Sequence, residues 1–173
     1  MADFKDRIIR AAKLDVNLYE EVEADKEALG QAVVVVVLSS IAAGIGSIGI
    51  AGFSGIFGGI FIGTIGALFG WIVWAYLTYF IGTKLLPEPQ TRADPGELLR
   101  TIGFASSPGL IRVVGIIPIP GLTRIVFLAA SIWMLIAFVI AVRQALDYRS
   151  TWRAVGVCVI GWFIQVLILI LLF

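Results

Sequence analysis

The sequence predicts an all-α membrane protein, a polytopic bundle of five transmembrane helices preceded by a short amphipathic helical segment. Apolar residues make up 60% of the 173 residues and charged residues only 14%, against roughly 25% charged in ordinary soluble domains. The longest uncharged run, residues 28–83, would extend about 84 Å as a helix, so it must fold back within a hydrocarbon core of about 30 Å. In lipid every backbone polar group must be satisfied internally, so such runs form helices.

The composition also excludes several classes of function. Histidine is absent and cysteine occurs once, which removes imidazole catalysis, the commonest zinc sites and an intramolecular disulfide. The net charge of +1 gives no basic excess for nucleic-acid binding. Gly44-x-Gly46-x-x-Gly49 matches a dinucleotide-binding string, but it lies in a membrane span without a βαβ context. We therefore expect no catalytic residue, cofactor, metal or nucleic-acid partner, and no enzymatic activity.

A charged leader, residues 1–29, is expected in the cytoplasm, ahead of a membrane domain that comprises residues 30–173. The first half of the leader is basic. It places apolar residues such as Phe4 and Ile8 on one helical face, on which Arg7 intrudes. A helix of this kind either lies in the membrane interface or packs against the rest of the protein.

The second half of the leader is acidic and carries an aromatic side chain. Asp15 is placed to cap a short helix there. An exposed acidic patch can dock a basic protein partner, although a charge run is also typical of a solvated face. The candidate partner-binding residues are Tyr19, Glu20, Glu21 and Glu23.

The first two spans are joined by a glycine-rich connection. The first span reads Ala28 to Ile50, residues 51–58 form an apolar turn, and the second span runs from Gly59 to about Gly82. Four glycines of the second span share one helical face and include two small-xxx-small pairs. That face either packs against another helix of the chain or forms a homodimer. These candidate helix-packing residues are Gly59, Gly63, Gly66 and Gly70.

The third helix, residues 95–117, is predicted in two pieces. Asp94 and Glu97, with a proline at the first helical position, form an N-terminal capping signature. Pro108 breaks the helix, and Ser107 is placed to cap a second half. At about 35 Å the whole segment can just span the membrane.

Arg112 lies inside this broken helix, and no predicted span contains an Asp or Glu that could pair with it. An intramembrane arginine is a functional-site hypothesis, and broken helices carry substrate sites in transporters. The alternative is that Arg112 snorkels to the nearer interface or contacts a lipid phosphate. The candidate lipid or anion contacts are therefore Arg112 and Arg124.

The last two spans are Leu122 to Leu146 and Trp152 to Phe173, joined by a short basic corner. Cytoplasmic loops of membrane proteins are enriched in lysine and arginine. With a cytoplasmic N-terminus and five crossings, every basic residue except Arg112 and Arg124 lies on the inner side. This pattern predicts a multi-pass protein of the cell membrane with its C-terminus outside.

Three segments carry a resemblance to a known family. They are Leu18–Val22 before the first span, Leu98–Pro108 in the broken helix and Ile132–Trp133 in the fourth span. Together they resemble prokaryotic members of the Yip domain family, named for Ypt-interacting proteins, over roughly residues 15–173. The resemblance implies a polytopic protein with a cytoplasmic N-terminus. Eukaryotic relatives bind prenylated Rab GTPases and other membrane-shaping proteins in vesicle traffic.

Two functions follow as expectations. The first is a non-enzymatic scaffold or adaptor in membrane organisation or trafficking-like processes. Its partners would be membrane lipids, a protein at the cytoplasmic N-terminus and a second copy of the chain. The second is a small transporter or lipid-translocating protein that uses the broken third helix, and it requires a polar cavity reaching Arg112.

Overall fold

A computed structural model describes residues 3–51 and 56–172, and the regular elements in these two ranges are all helical. The leader forms two short helices, and the remainder forms long helices interrupted by one broken element. The α-helices are α1 (Phe4–Ala12), α2 (Val16–Ala24), α3 (Ala28–Ala51), α4 (Ile56–Phe80), α5 (Pro95–Phe104), α6 (Leu122–Ala145) and α7 (Thr151–Leu172). A π-helical turn, Ile81–Leu85, extends α4, and a 3₁₀ helix, Ser107–Ile116, follows α5.

Within the described residues, three helices are long and apolar enough to cross a membrane. They are Ala28–Ile50, Phe57–Leu85 and Leu122–Ala145, which match the first, second and fourth predicted spans. The fifth predicted span corresponds to α7, whose segment Thr151–Leu167 is also apolar. The prediction of a helical membrane protein is therefore confirmed. Of the predicted turn at residues 51–58, residues 52–55 lie outside the described residues, whereas residue 51 ends α3 and residues 56–58 belong to α4, so the helices extend further into the turn than predicted.

The third predicted helix is broken, as expected, but the break has a different geometry. Asp94 and Glu97 form a complete capping box, in which Asp94 Oδ1 accepts from the Glu97 amide at 3.0 Å. The α-helix ends at Phe104, the residue whose carbonyl a proline at position 108 would clash with. Ser107 does not cap the second piece. Its hydroxyl donates back to the Phe104 carbonyl at 2.7 Å and so satisfies a carbonyl at the end of α5.

The second piece is a ten-residue 3₁₀ helix, longer than the three or four residues usual for this conformation. We predicted an ordinary half-helix here. A 3₁₀ helix has 3.0 residues per turn, so residues 109, 112 and 115 lie on one face. Two of these positions are glycines, and this face packs closely against α3.

Small residues form a seam between α3 and the broken element. The close approaches pair Ala32 with Gly103, Ser39 with Gly109, Gly46 with Arg112 and Gly49 with Gly115. Because residue numbers rise together on both sides, the two elements run parallel. The seam follows residues 32–49 of α3, about 26 Å at 1.5 Å per residue.

The leader is packed into the same core as the long helices. In α2, Leu18, Tyr19 and Val22 are fully buried against α5 and α6. In α1, Ala11 is buried, and Phe4 and Ile8 pack against the core. The amphipathic face of α1 therefore packs on the protein, which was the second of the two interpretations of this helix.

Candidate functional site

Arg7, which looked misplaced on the apolar face of α1, connects three parts of the chain. Its Nε donates to Glu21 Oε1 at 2.9 Å, its Nη2 to Asp25 Oδ2 at 2.8 Å and its Nη1 to Gln31 Oε1 at 3.0 Å. Only 7% of its side chain is exposed. Burial lowers the pKa of Arg7, but the hydrogen bonds to Asp25 and Glu21 outweigh this effect and raise it overall. The planar fork of a guanidinium suits such multiple carboxylate contacts.

Glu21 joins Arg7 to a second arginine. Arg10 Nη1 donates to Glu21 Oε2 at 2.7 Å, and Arg10 Nε donates to Asp15 Oδ2 at 2.8 Å. Burial would raise the pKa of Glu21, but hydrogen bonds from Arg10 and Arg7 lower it overall. Glu21 therefore connects α1 and α2, and its carboxylate oxygens are already bonded to arginines of the same chain.

Arg100 fixes the leader to the broken helix. Its Nε donates to the Val22 carbonyl at 3.0 Å, and its Nη2 donates to the Glu23 carbonyl. Only 6% of Arg100 is exposed. Arg100 was not predicted as a functional residue, although its charge among Leu98, Leu99 and Ile102 was a signal that it has a specific partner. We name Arg7, Arg10 and Arg100 with their acceptors the leader clamp.

The four predicted partner-binding residues occupy different environments. Tyr19 is fully buried, and burial raises the pKa of its hydroxyl. Glu21 belongs to the leader clamp. Glu20 is exposed and accepts a hydrogen bond from Gln144 Nε2. The surface that a partner could reach in this region therefore centres on Glu20, with Glu23 beside it in the sequence.

Glu23 is the least satisfied of these acidic side chains. Its Oε2 is buried and has no hydrogen-bond partner among the described residues. Burial raises the pKa of Glu23 to about 8; the charges of Glu20, Glu97 and Asp147 add to the rise, while Arg100 opposes it. A carboxyl group in this environment takes up a proton near neutral pH.

A large cavity lies among the long helices. Its volume is about 1000 Å³, and it is lined by α3, α4, α6, α7 and the broken element. Most of its walls are apolar or aromatic, including Trp71, Trp74 and Trp162. Its few polar lining groups are Ser39, Ser40, Ser106, Arg112, Thr151 and Gln165. The cavity reaches Arg112, but it is not the polar cavity that transport of a hydrophilic solute requires.

Arg112 reaches into this cavity from the 3₁₀ helix. Its Nη2 donates to Ser131 Oγ at 3.1 Å, and its guanidinium carbon lies 5.5 Å from the centroid of the Phe127 ring, within cation–π range. Ser131 is more than two helical turns from either end of α6. Arg112 is thus directed towards the middle of a long helix and not towards a helix end. Phe127 and Ser131 were not predicted as its partners; their spacing of four on α6 was the available signal.

Arg124 lies elsewhere. It is exposed and lines a separate shallow pocket of about 450 Å³ at the turn that contains Pro118 and Pro120. The structure therefore does not bring Arg112 and Arg124 into one site.

The predicted glycine face of α4 is not closely packed against another element in the described ranges. A Cβ placed at Gly59, Gly63, Gly66 or Gly70 would meet no atom within 4 Å. Close helix approach uses the glycines of α3 instead, because the broken element packs there. The described residues therefore give no support for the first alternative, in which this face packs against another helix of the chain. Homodimerisation, the second alternative, stays a prediction. Gly70 lines the cavity.

Among residues 3–51 and 56–172, no cluster of three or more His, Cys, Asp or Glu side chains could hold a metal ion. Cys158 is buried, unbonded to another cysteine and part of the cavity wall.

Comparison with known proteins gave one result. The family model described as the Yip1 domain matches residues 17–173, a range that starts in α2 and includes every long helix. No curated protein and no solved structure matches the chain.

Proposed function

The chain belongs to the Yip1 domain family, and from that premise we propose that it is a non-enzymatic scaffold or adaptor in membrane organisation. In this proposal it is a five-helix protein of the cell membrane, with its N-terminus in the cytoplasm and its C-terminus outside. Its partners are membrane lipids and a protein that binds the cytoplasmic face of the leader.

Two features support five crossings. The seam makes the broken element parallel to α3 over about 26 Å, close to the 30 Å thickness of a hydrocarbon core. A re-entrant segment would return to the side it started from. With five crossings, the basic residues Arg143, Arg149 and Arg153 also join the leader on the inner side, as the positive-inside rule favours.

The observation that carries the scaffold proposal is the leader clamp. Arg7 and Arg100 are buried and hydrogen-bonded to α2 or to the residue that follows it, so they fix the leader against the helical bundle. A preformed surface binds a partner without the entropy cost of ordering a flexible tail. The exposed Glu20 on this surface favours a partner with a basic patch.

Co-purification from native membranes tests this role. The paired change of Glu20→Gln and Glu23→Gln removes the exposed charge of Glu20 and the half-buried carboxyl group of Glu23, and it leaves Glu21 in the leader clamp. Glu27→Gln is the matched control, because Glu27 is an exposed glutamate of the same leader. We expect the paired variant to lose a protein partner that the wild type and the control retain, with equal yields of folded protein. Unchanged recovery of that partner would contradict the proposal.

The cavity favours a second candidate function, a small transporter or a lipid-translocating protein built on the broken helix. Its apolar walls suit lipid better than a hydrophilic solute. In vesicles with a fluorescent lipid, translocation would expose more than about half of the label to an impermeant reductant, and Arg112→Gln would reduce this fraction. Equal protection in vesicles with and without the protein would exclude lipid translocation.

A further inference from the structure

The cavity is long enough for a hydrocarbon chain. Its lining on α7 runs from Thr151 to Gln165, about 21 Å at 1.5 Å per residue. One leaflet of a membrane has a hydrocarbon depth of roughly 15 Å, half of the usual core thickness. Val155, Cys158 and Val159 line the stretch between these ends. The walls therefore resemble the environment of a lipid chain rather than that of a soluble ligand.

Two buried nitrogen atoms in the cavity lining lack acceptors. Arg112 Nε and Trp74 Nε1 are both buried, and neither has a hydrogen-bond partner among the described residues. Buried donors of native proteins are nearly always paired, and leaving one unpaired is costly. The sequence also contains no acidic residue between Glu97 and Asp147. The counter-charge of Arg112 is therefore expected to come from a bound molecule.

Two polar groups of the cavity, Arg112 and Gln165, lie at a similar depth. Arg112 is bonded to Ser131 on α6, and Gln165 lines the cavity from α7. The connection between α6 and α7, residues 146–150, is short, so these helices form an antiparallel hairpin. Ser131 and Gln165 lie equally far along the chain from this connection. They therefore lie at similar depth, and Thr151 lies at the opposite end.

We propose that this cavity binds an anionic amphiphile, with its phosphate or carboxylate headgroup at Arg112 and its hydrocarbon chain extending along α7 towards Thr151. A guanidinium has five N–H donors and stays charged, so the donors of Arg112 not bonded to Ser131 can bind an anion. A neutral lipid would leave this charge unpaired, and a small soluble anion would leave the apolar walls empty. This inference goes beyond the scaffold role and does not depend on it.

Quenching of tryptophan fluorescence by brominated lipids tests the site, because Trp71, Trp74 and Trp162 line the cavity. Full-length protein in neutral phosphatidylcholine vesicles is titrated with brominated phosphatidic acid, a brominated fatty acid or brominated phosphatidylcholine. The neutral lipid measures quenching from the general bilayer, including that of the exposed Trp152. We expect half-maximal quenching at a mole fraction about tenfold lower for at least one anionic lipid. The anionic lipid that shows it distinguishes a phosphate from a carboxylate headgroup.

Two pairs of variants locate the effect. Arg112→Gln should abolish the anionic preference, whereas Arg124→Gln, at the separate shallow pocket, should retain it. Gly70→Phe should fill the cavity, because a Cβ at Gly70 meets nothing within 4 Å and Gly70 lines the cavity. Gly63→Phe adds the same side chain to α4 at a position that does not line the cavity, and it should retain the preference.

The results that would overturn the proposal are specific. Equal quenching by anionic and neutral lipids in the wild type would do so. So would an anionic preference that survives Arg112→Gln, or one that Arg112→Gln and Arg124→Gln reduce equally, since that would indicate surface charge. If Arg112→Gln does not fold, the comparison of Gly70→Phe with Gly63→Phe tests the site instead. An equal preference for anionic lipid in those two variants would contradict the proposed site.

Discussion

Gly46 of α3 lies so close to Arg112 of the 3₁₀ helix that a Cβ at position 46 would overlap the Arg112 carbonyl oxygen. The obstacle is backbone, which cannot rotate away as a side chain can. Glycine at position 46 therefore allows the broken element to pack on α3. This contact also places Arg112 where its side chain reaches Ser131.

Gly46→Ala should destabilise the fold by roughly 1–3 kcal/mol, as other overpacking changes do. Gly63→Ala is the matched control: a Cβ there meets no atom within 4 Å, and alanine favours a helix by up to about 1 kcal/mol. Unfolding in mixed micelles, followed by circular dichroism, measures the stability of both variants. Equal stability of the two variants would show that the seam is not tightly packed.

Arg7→Met should loosen the leader. The change removes hydrogen bonds to Glu21, Asp25 and Gln31, and the net contribution of a hydrogen bond to a charged group is about 1.5–3 kcal/mol. We expect a loss of about 2 kcal/mol and faster chymotrypsin cleavage after Tyr19, which is buried in the wild type. Lys5→Met, at an exposed position of the same helix, should change neither quantity. Identical cleavage rates for the two variants would contradict the leader clamp.

The leader clamp should also weaken in acid. The carboxyl groups of Asp15 and Asp25 have lowered pKa values, chiefly because Arg10 and Arg7 respectively donate hydrogen bonds to them. A carboxyl group whose folded-state pKa is lowered stabilises the protein above its unfolded-state pKa and loses this effect as the pH falls through the folded-state pKa. The stability difference between wild type and Arg7→Met should therefore shrink below about pH 4. A difference that stays constant from pH 7 to pH 3 would rule out this coupling.

Glu23 should have the opposite pH dependence. Its folded-state pKa is raised to about 8, first by burial and then by neighbouring acidic groups. The folded state therefore binds more protons than the unfolded state between about pH 4.3 and pH 8, and stability falls as the pH rises through that interval. Glu23→Gln should be more stable than the wild type at pH 8 and similar to it at pH 4.5. Thermal unfolding at pH 8 and at pH 4.5 measures the stability of both proteins. The same stability difference between variant and wild type at each pH would contradict the prediction.

Several features of the fold could be predicted from local sequence. The capping box of Asp94 and Glu97 depends on residues three apart, and the break near Pro108 follows from the missing amide and the clash of the proline ring. Long uncharged runs identified the helices α3, α4 and α6. Each of these signals is contained within one turn or one helix, so no tertiary information was needed.

Other features depend on which faces meet, and sequence spacing alone does not determine that. Gly59, Gly63, Gly66 and Gly70 have the spacing of a packing face, yet no described element covers them. Gly46 begins a run of glycines at every third residue, which does not stay on one face of an α-helix, yet Gly46 lies against the broken element. Arg7 interrupted an amphipathic pattern because its partners, Glu21 and Asp25, come from the next helix.

The candidate site, too, could be predicted only in part from the sequence. Arg112 could be singled out from its isolation among uncharged residues, but the cavity around it is formed by five elements. The 3₁₀ conformation, which aligns positions 109, 112 and 115, is not predicted by an apolar pattern with a helical period near 3.6. Ser131 became a partner of Arg112 only through the packing of α6 on the 3₁₀ helix.

The most direct test of the five-helix topology is to find the side of the membrane on which the end of the last helix lies and the side on which the loop between α4 and α5 lies. Cys158 is first changed to alanine, and a single cysteine is then introduced either after Phe173 or by Arg92→Cys, at an exposed loop position. Intact cells are treated with a membrane-impermeant thiol reagent, and lysed cells serve as the labelling control. Five crossings predict labelling after Phe173 and protection at residue 92. Protection after Phe173 in intact cells, with full labelling after lysis, would contradict the five-helix topology on which the proposed function rests.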